Sequence, residues 1–146
     1  MLGRTIVALV LVLMTGSVAT AQALFHVAEN QVPVAVIEVK RTPQFTEVRL
    51  RALAALRGVC WTHKGVNSPY LLGGGRRHRF LGGDAIVDCP ARRDYLVGEN
   101  MVLRFEPLDA QMSEFSLVEG EGGENQMVDP KSSTERYWNF LRIRLN

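Results

Sequence analysis

The sequence contains two cysteines, Cys60 and Cys89, and a lone pair of thiols can form a disulfide, bind a metal or supply a nucleophile. In an exported protein, the usual outcome for such a pair is a structural disulfide. The chain-entropy model gives roughly 3.5 kcal/mol of stabilisation for a loop of this length. We therefore predict a disulfide between Cys60 and Cys89.

A zinc site is the alternative use of these residues, because Cys60, His63, His78 and Cys89 offer the thiolate and imidazole ligands that zinc prefers. The spacing from Cys60 to His63 is acceptable, but His78 lies close to a glycine run and has no regular spacing to Cys89. A catalytic thiol has no second motif in its support, and export would tend to oxidise it. The disulfide is the preferred interpretation, with zinc as the open alternative.

A second stretch with possible chemistry runs from Glu119 to Asp129, where glutamates alternate with glycines. Carboxylate oxygens on a flexible backbone can hold calcium, but the spacing does not fit the twelve-residue calcium loop. A plain solvated loop, reaching to about residue 135, is the simpler interpretation. A glycosidase pair is not predicted either, because it needs two carboxylates facing each other across a cleft. The calcium ligands would be Glu119, Glu121, Glu124 and Asp129.

Arginines on predicted strands are the third candidate. Arg49 and Arg51 share one strand face, and Arg142 and Arg144 share another, opposite apolar residues. Planar guanidinium groups suit carboxylate and phosphate recognition, although exposed strands also need charge simply to stay soluble. We hypothesise that the four arginines meet on neighbouring strands and form an anion-binding surface.

No catalytic residue and no cofactor are predicted. Ser68 lacks the glycine-x-serine-x-glycine turn that would expose an activated hydroxyl. The glycine runs at 73–75 and 82–83 are not followed by the Lys-Ser or Lys-Thr pair of a phosphate-binding loop.

The first residues have the layout of an export leader. Arg4 is followed by the apolar run from Ile6 to Met14 and by Ala21-Gln22-Ala23, a small-x-small cleavage site. We expect residues 1–23 to be removed, leaving one domain over residues 24–146 that is periplasmic or secreted. The apolar run is shorter than the ~20 residues that span a bilayer, so no transmembrane span is expected after removal.

Charge argues against nucleic acid as a partner. The chain has 17 Lys and Arg against 15 Asp and Glu, and loss of Arg4 with the leader reduces the excess to one. Proteins that bind nucleic acid usually show a clear basic excess.

Alternating apolar and polar residues predict short strands along most of the chain. The clearest are residues 32–40 with a bulge near Val36-Ile37, 45–54, 100–108, 114–119, and 136–145 with a bulge near Phe140-Leu141. Residues 24–31 are expected to be irregular, and residues 68–81 to form a hairpin. Seven or eight strands with short connections and no predicted helix indicate an all-β antiparallel fold, a sandwich or small barrel. We expect a β-sandwich, Ig-like or jelly-roll-like, with Trp138 and Phe140 in its core.

Short motifs carry a resemblance to known proteins. Leu103–Leu108 (LRFEPL), Ser116–Gly120 (SLVEG) and Phe140–Leu145 (FLRIRL), with Tyr70–Gly73 upstream, resemble small exported bacterial β-sandwich domains, mostly of unknown function. The resemblance implies a sandwich and export, and it brings no catalytic residue with it. The long acidic loop after Glu119 and the cysteine pair depart from that pattern.

Three functions remain open at this point. The preferred one is a non-enzymatic binding or accessory module of the bacterial envelope, whose partner is an envelope protein or an anionic glycan or lipid surface. The alternatives are a small hydrolase or glycan-acting enzyme whose site forms only in three dimensions, and an assembly component with an open strand edge. A cleft that joins two or more of the following residues would favour the enzyme: Glu99, Glu119, His63, His78 and Asp84.

Overall fold

The computed structural model describes residues 19–146. The predicted leader therefore lies mostly outside the described residues, although its last part, residues 19–23, lies inside them. The elements in chain order are β1 (Thr20–Val27), β2 (Val34–Arg41), β3 (Thr46–Ala52), β4 (Leu56–Val59), β5 (Pro69–Gly73), β6 (Arg76–Asp84), β7 (Arg93–Tyr95), β8 (Asn100–Phe105), β9 (Glu114–Glu119), α1 (Gly120–Val128) and β10 (Phe140–Arg144).

Eight strands form one antiparallel sheet in the order β1-β2-β3-β8-β6-β5-β9-β10, and β4 pairs with β7 in a separate two-stranded sheet. The two edge strands, β1 and β10, approach each other, and we call the line between them the seam. The Gln22 side chain crosses the seam, donating to the Arg144 carbonyl at 3.0 Å and accepting from the Asn146 N–H at 2.8 Å. The sheet is thus curled into a nearly closed barrel.

The predicted antiparallel all-β class and the disulfide are confirmed, whereas a sandwich is not confirmed. A single sheet that curls until its edge strands lie side by side leaves less of each edge open to solvent than a flat sheet does. Cys60 and Cys89 are bonded, with their Cα atoms 5.0 Å apart. Backbone hydrogen bonds flank the bond, from Trp61 N–H to Val87 O at 2.9 Å and from Cys89 N–H to Trp61 O at 3.0 Å.

Side chains that alternate along the strands fill the barrel interior, as the period-two pattern predicted. In β3, Val48, Leu50 and Ala52 are buried, and β8 buries Met101, Leu103 and Phe105 beside them. The predicted bulge in β2 is confirmed by a register shift between Val36 and Glu38. The predicted hairpin is β5 and β6.

Two strand predictions need correction. Residues 24–31, expected to be irregular, include the second half of β1, whose outer face is apolar and gives no clear alternation. The last strand is β10 (Phe140–Arg144), shorter than predicted, although the expected bulge is present as a register shift between Phe140 and Ile143. Trp138 therefore precedes the strand and is only half-buried, whereas Phe140 is fully buried.

The expected loop after Glu119 is wrong in its first half, where the chain forms α1. Its glycines permit close packing. A Cβ on Gly122 would overlap the Tyr137 ring, and a Cβ on Gly123 would lie 2.5 Å from Asn139 Oδ1. Gly120 begins the helix at a φ of +63°, a conformation that favours glycine. These glycines are needed because neighbouring segments pack closely against the helix. Since glycine is also frequent in loops, its presence alone predicts a loop here. α1 is short, and residues 19–146 contain no helix long and apolar enough to cross a membrane.

Candidate functional site

A cleft of about 640 Å³ opens at the disulfide. One wall is the stretch from Leu56 to Thr62, which includes β4 and Cys60, and the other is residues 135–138, between α1 and β10. Glu119, at the end of β9, also lines the cleft, together with Asn67 and Arg92. The cleft therefore depends on the disulfide, on β9 and on the chain that follows α1.

Two tryptophans meet in the cleft. Trp61 is only 2 % exposed, and its ring lies 5.3 Å from that of Trp138, with the ring planes at 84°. This edge-to-face arrangement is a favourable aromatic contact. The Nε1–H of Trp61 is buried and has no hydrogen-bond partner among the described residues. A buried donor left without a partner costs roughly 1–3 kcal/mol.

Glu119 connects the cleft to the segment after α1. Its Oε2 accepts a hydrogen bond from the Trp138 N–H at 2.5 Å, and its own N–H donates to Asn139 Oδ1 at 3.2 Å. Burial raises the pKa of Glu119 to about 7, against the opposing effect of the Trp138 hydrogen bond. The charge of Glu135 adds to the rise. Glu119 thus titrates near neutral pH.

The wall formed by residues 135–139 is held against α1 by buried side-chain amides. Gln126 accepts from the Tyr137 N–H at 3.0 Å and donates to the Glu135 carbonyl. Asn139 donates to the Gly123 carbonyl at 2.9 Å. Gln126 and Asn139 are almost fully buried, so the wall is fixed before any ligand arrives.

Among residues 19–146, three arginines border the cleft. Arg92 donates to the Gly58 carbonyl at 2.8 Å. Arg57 and Arg136 are exposed, and within the described chain neither makes an ion pair or a side-chain hydrogen bond. Two cationic groups are therefore free to contact a ligand in the cleft.

The four arginines singled out from the sequence do not meet. Arg49 pairs with Glu38 at 3.5 Å, and Arg51 donates to Asn100 Oδ1 at 3.1 Å. Both lie on β3, whereas Arg142 and Arg144 are exposed on β10. Even across the seam, β1 and β2 lie between these strands, so the backbones are three strand spacings apart, roughly 14 Å. The expectation of neighbouring strands is wrong, and anion binding by these four residues stays a prediction.

The four carboxylates proposed for calcium are engaged in separate contacts. Glu119 faces the cleft, and Glu124 accepts from Arg77 at 2.5 Å and from the Tyr70 hydroxyl at 2.6 Å. Asp129 accepts from the Lys131 N–H at 3.0 Å, and Glu121 is exposed. The described part of the chain holds no group of three or more His, Cys, Asp or Glu side chains suited to a metal ion. Calcium binding stays a prediction without geometric support.

The zinc alternative conflicts with the disulfide, because bonded sulfurs are not thiolates. His78 is buried within the barrel, with Nδ1 3.1 Å from the Pro107 carbonyl oxygen, while His63 is exposed and lies 3.8 Å from Asp88. Of the five residues named as a test for an enzyme, Glu119 is the one that lines the cleft.

The aromatic pair and the arginines of the cleft escaped the sequence analysis. Trp61 follows Cys60 directly, so the predicted disulfide already placed an indole beside Cys89. Tyr137 and Trp138 were assigned to a strand, which hid their position on the wall of a cleft.

Comparison with known proteins gives no relative: no family model, no curated protein and no solved structure matches the chain. The resemblance to exported β-sandwich domains stays a prediction.

Proposed function

We propose that the protein is an exported, non-enzymatic binding module of the bacterial envelope and that its cleft binds an anionic glycan. The observation that carries this proposal is the pair of exposed arginines at the cleft, Arg57 and Arg136, which have no ion-pair partner among the described residues and lie beside the rings of Tyr137 and Trp138. The disulfide is compatible with the oxidising compartment that export implies.

The arginines define the charge of the ligand. Guanidinium groups bind carboxylates and phosphates through planar pairs of hydrogen bonds. Arg57 and Arg136 have no such partner within residues 19–146, and with Arg92 they outnumber the two carboxylates of the cleft. A negatively charged ligand is therefore favoured over a neutral one.

The aromatic residues define the remaining part of the ligand. Trp138 and Tyr137 are half-buried and combine an apolar ring with a polar tip. Such rings suit a molecule with apolar faces and polar edges, and sugar rings have this character. An acidic glycan satisfies both the charge and the ring requirement, and envelopes contain such polymers.

Isothermal titration with an oligogalacturonate tests the proposal, with a neutral oligosaccharide of equal length as the ligand control. We expect binding that weakens as salt rises, because exposed charges are screened beyond ~8 Å at physiological salt. Replacing Arg57→Glu and Arg136→Glu together should reduce the affinity at least about tenfold. Binding of the neutral oligosaccharide with equal affinity, or no binding at low salt, would overturn the proposal.

The matched control is Arg142→Glu with Arg144→Glu, which makes the same charge change on β10. This pair should leave the affinity nearly unchanged if the cleft is the site. A loss confined to the β10 pair would instead place the anion on the surface predicted from the sequence. Equal losses would indicate a general charge effect without a defined site.

A glycan-acting enzyme is the second candidate, supported by one observation. Glu119 has a pKa of about 7 and lies near Glu135, and two carboxyl groups in different environments are the acid and base of many glycosidases. Prolonged incubation of the oligosaccharide, followed by mass analysis, tests this function. Shortened products that disappear with Glu119→Gln would favour the enzyme, and an intact oligosaccharide would favour the binding module.

A further inference from the structure

The first strand begins inside the segment that the leader prediction removes. Cleavage after Ala23 would take away Thr20 to Ala23, which pair with β2 residues from Arg41 to Glu38. The remaining part of β1 would be Leu24–Val27, and an irregularity in the pairing between Ala23 and His26 falls within it. Half of an edge strand would be lost.

The lost half also closes the barrel. Gln22 holds the seam through its bonds to the Arg144 carbonyl and the Asn146 N–H. Residues 20–23 border a cavity of about 350 Å³ together with Val39 and Leu145, which are 1 % and 8 % exposed. Without residues 20–23 these two apolar side chains would face solvent, and Glu38 to Arg41 of β2 would lose their backbone partners.

We propose that the leader is removed between Ala19 and Thr20. Ser17 and Ala19 supply small residues at the third and first positions before this bond, the small-x-small pattern that leader peptidases require. Water adds across the peptide bond, so that Ala19 leaves with a carboxylate and Thr20 gains a free α-amine. Ala19 is exposed and precedes β1, so cleavage there leaves every β1 pairing and the Gln22 contacts intact.

The inference rests on export, which is part of the proposed function, and it is independent of the ligand of the cleft. If the protein is cleaved before Thr20 but does not bind the glycan, the leader inference holds and the proposed glycan site in the cleft is wrong. If the exported protein begins at Leu24 and binds the glycan, the leader inference is wrong and the proposed glycan site holds.

The test is the N-terminal sequence and intact mass of the full chain after export to the periplasm of a Gram-negative host. We expect a protein that begins at Thr20. A protein that begins at Leu24, lighter by residues Thr20 to Ala23, or one that retains Met1, would overturn the proposal.

Two arginine substitutions provide the matched variants. Ala19→Arg places a large charged residue directly before the proposed bond and should block processing there. Ala23→Arg makes the same change at an exposed β1 position that pairs with Glu38, and it should leave the N-terminus at Thr20. Unchanged processing of the Ala19 variant, or an uncleaved Ala23 variant, would contradict the proposal.

The contribution of residues 20–23 to the stability of the fold is tested on purified chains that begin at Thr20 or at Leu24. The shorter chain should melt roughly 5–10 °C lower, since it loses strand pairing and exposes core residues. Gln22→Ala in the longer chain should lower the melting temperature by a smaller amount in the same direction. Equal melting temperatures for the two chains would show that residues 20–23 do not contribute to the fold.

Discussion

The barrel wall buries every second side chain of strands such as β3 and β8. At the other region, which we call the cleft end, residues 135–139 pack on α1 through glycines and buried side-chain amides. The barrel wall gains stability from buried apolar area. Because many weak contacts contribute, a small shift of one side chain costs little. The cleft end depends on a few directional bonds, each of which leaves a buried polar group unpaired when it is broken. The two regions should therefore respond differently to substitution.

The largest expected effect on the free energy of unfolding belongs to the barrel wall. Phe140 in β10 is fully buried, and truncation of a buried phenylalanine typically costs about 3–5 kcal/mol. Trp138, two residues earlier, is half-buried, so Trp138→Ala should cost less than Phe140→Ala, about 1–3 kcal/mol.

Urea unfolding of both variants measures this difference in the free energy of unfolding. Arg144→Ala, an exposed position in the same strand, should change it by less than about 0.5 kcal/mol. An equal loss for Trp138→Ala and Phe140→Ala would mean that the end of the chain packs as one continuous strand.

This contrast explains which parts of the structure could be predicted from the sequence. Alternation reports the two faces of a strand, so β3, β8 and the bulge in β2 follow from residues adjacent in the chain. Gly122 and Gly123 of α1 are explained by Tyr137 and Asn139, more than a dozen residues later, and no local pattern carries that information. Strand order has the same origin, since β3 and β10 resemble each other in sequence pattern but are not neighbours.

The cleft was predictable only through the disulfide. Pairing Cys60 with Cys89 follows from export and cysteine count, and it places Trp61 beside the second cysteine. The contribution of Trp138 and Glu119 depends on how residues 135–139 pack on α1. That packing depends on long-range hydrogen bonds of Gln126 and Asn139, which composition and spacing do not indicate.

An intermediate effect is expected at the glycines of the cleft end. Glycine to alanine inside a helix normally stabilises by about 1 kcal/mol. Gly122→Ala should instead destabilise by about 2 kcal/mol, because the new Cβ overlaps the Tyr137 ring and forces the wall of the cleft to move.

Thermal melts compare this variant with Asn125→Ala, an exposed position of α1 where alanine should be neutral or slightly stabilising. If both alanines stabilise the protein, α1 does not pack closely on residues 135–139. Loss of glycan binding with Gly122→Ala, at a temperature where the variant is folded, would link that packing to the cleft.

The smallest expected effect concerns Glu119 and sharpens the comparison through pH. Burial raises the pKa of this carboxyl from 4.5 in the unfolded chain to about 7 in the fold, so the folded state binds the proton more tightly. The corresponding stabilisation is fully present below pH 4.5 and is lost as pH rises through about 7. Since Glu119 also accepts the Trp138 hydrogen bond when charged and is partly reached by solvent, we expect a loss on the order of 1 kcal/mol between pH 5 and pH 8.

Urea unfolding at both pH values should show this loss in the wild type and not in Glu119→Gln, whose amide does not titrate. An equal dependence in wild type and Glu119→Gln would mean that the carboxyl is solvated, and that the cleft end is more open than its buried hydrogen bonds imply.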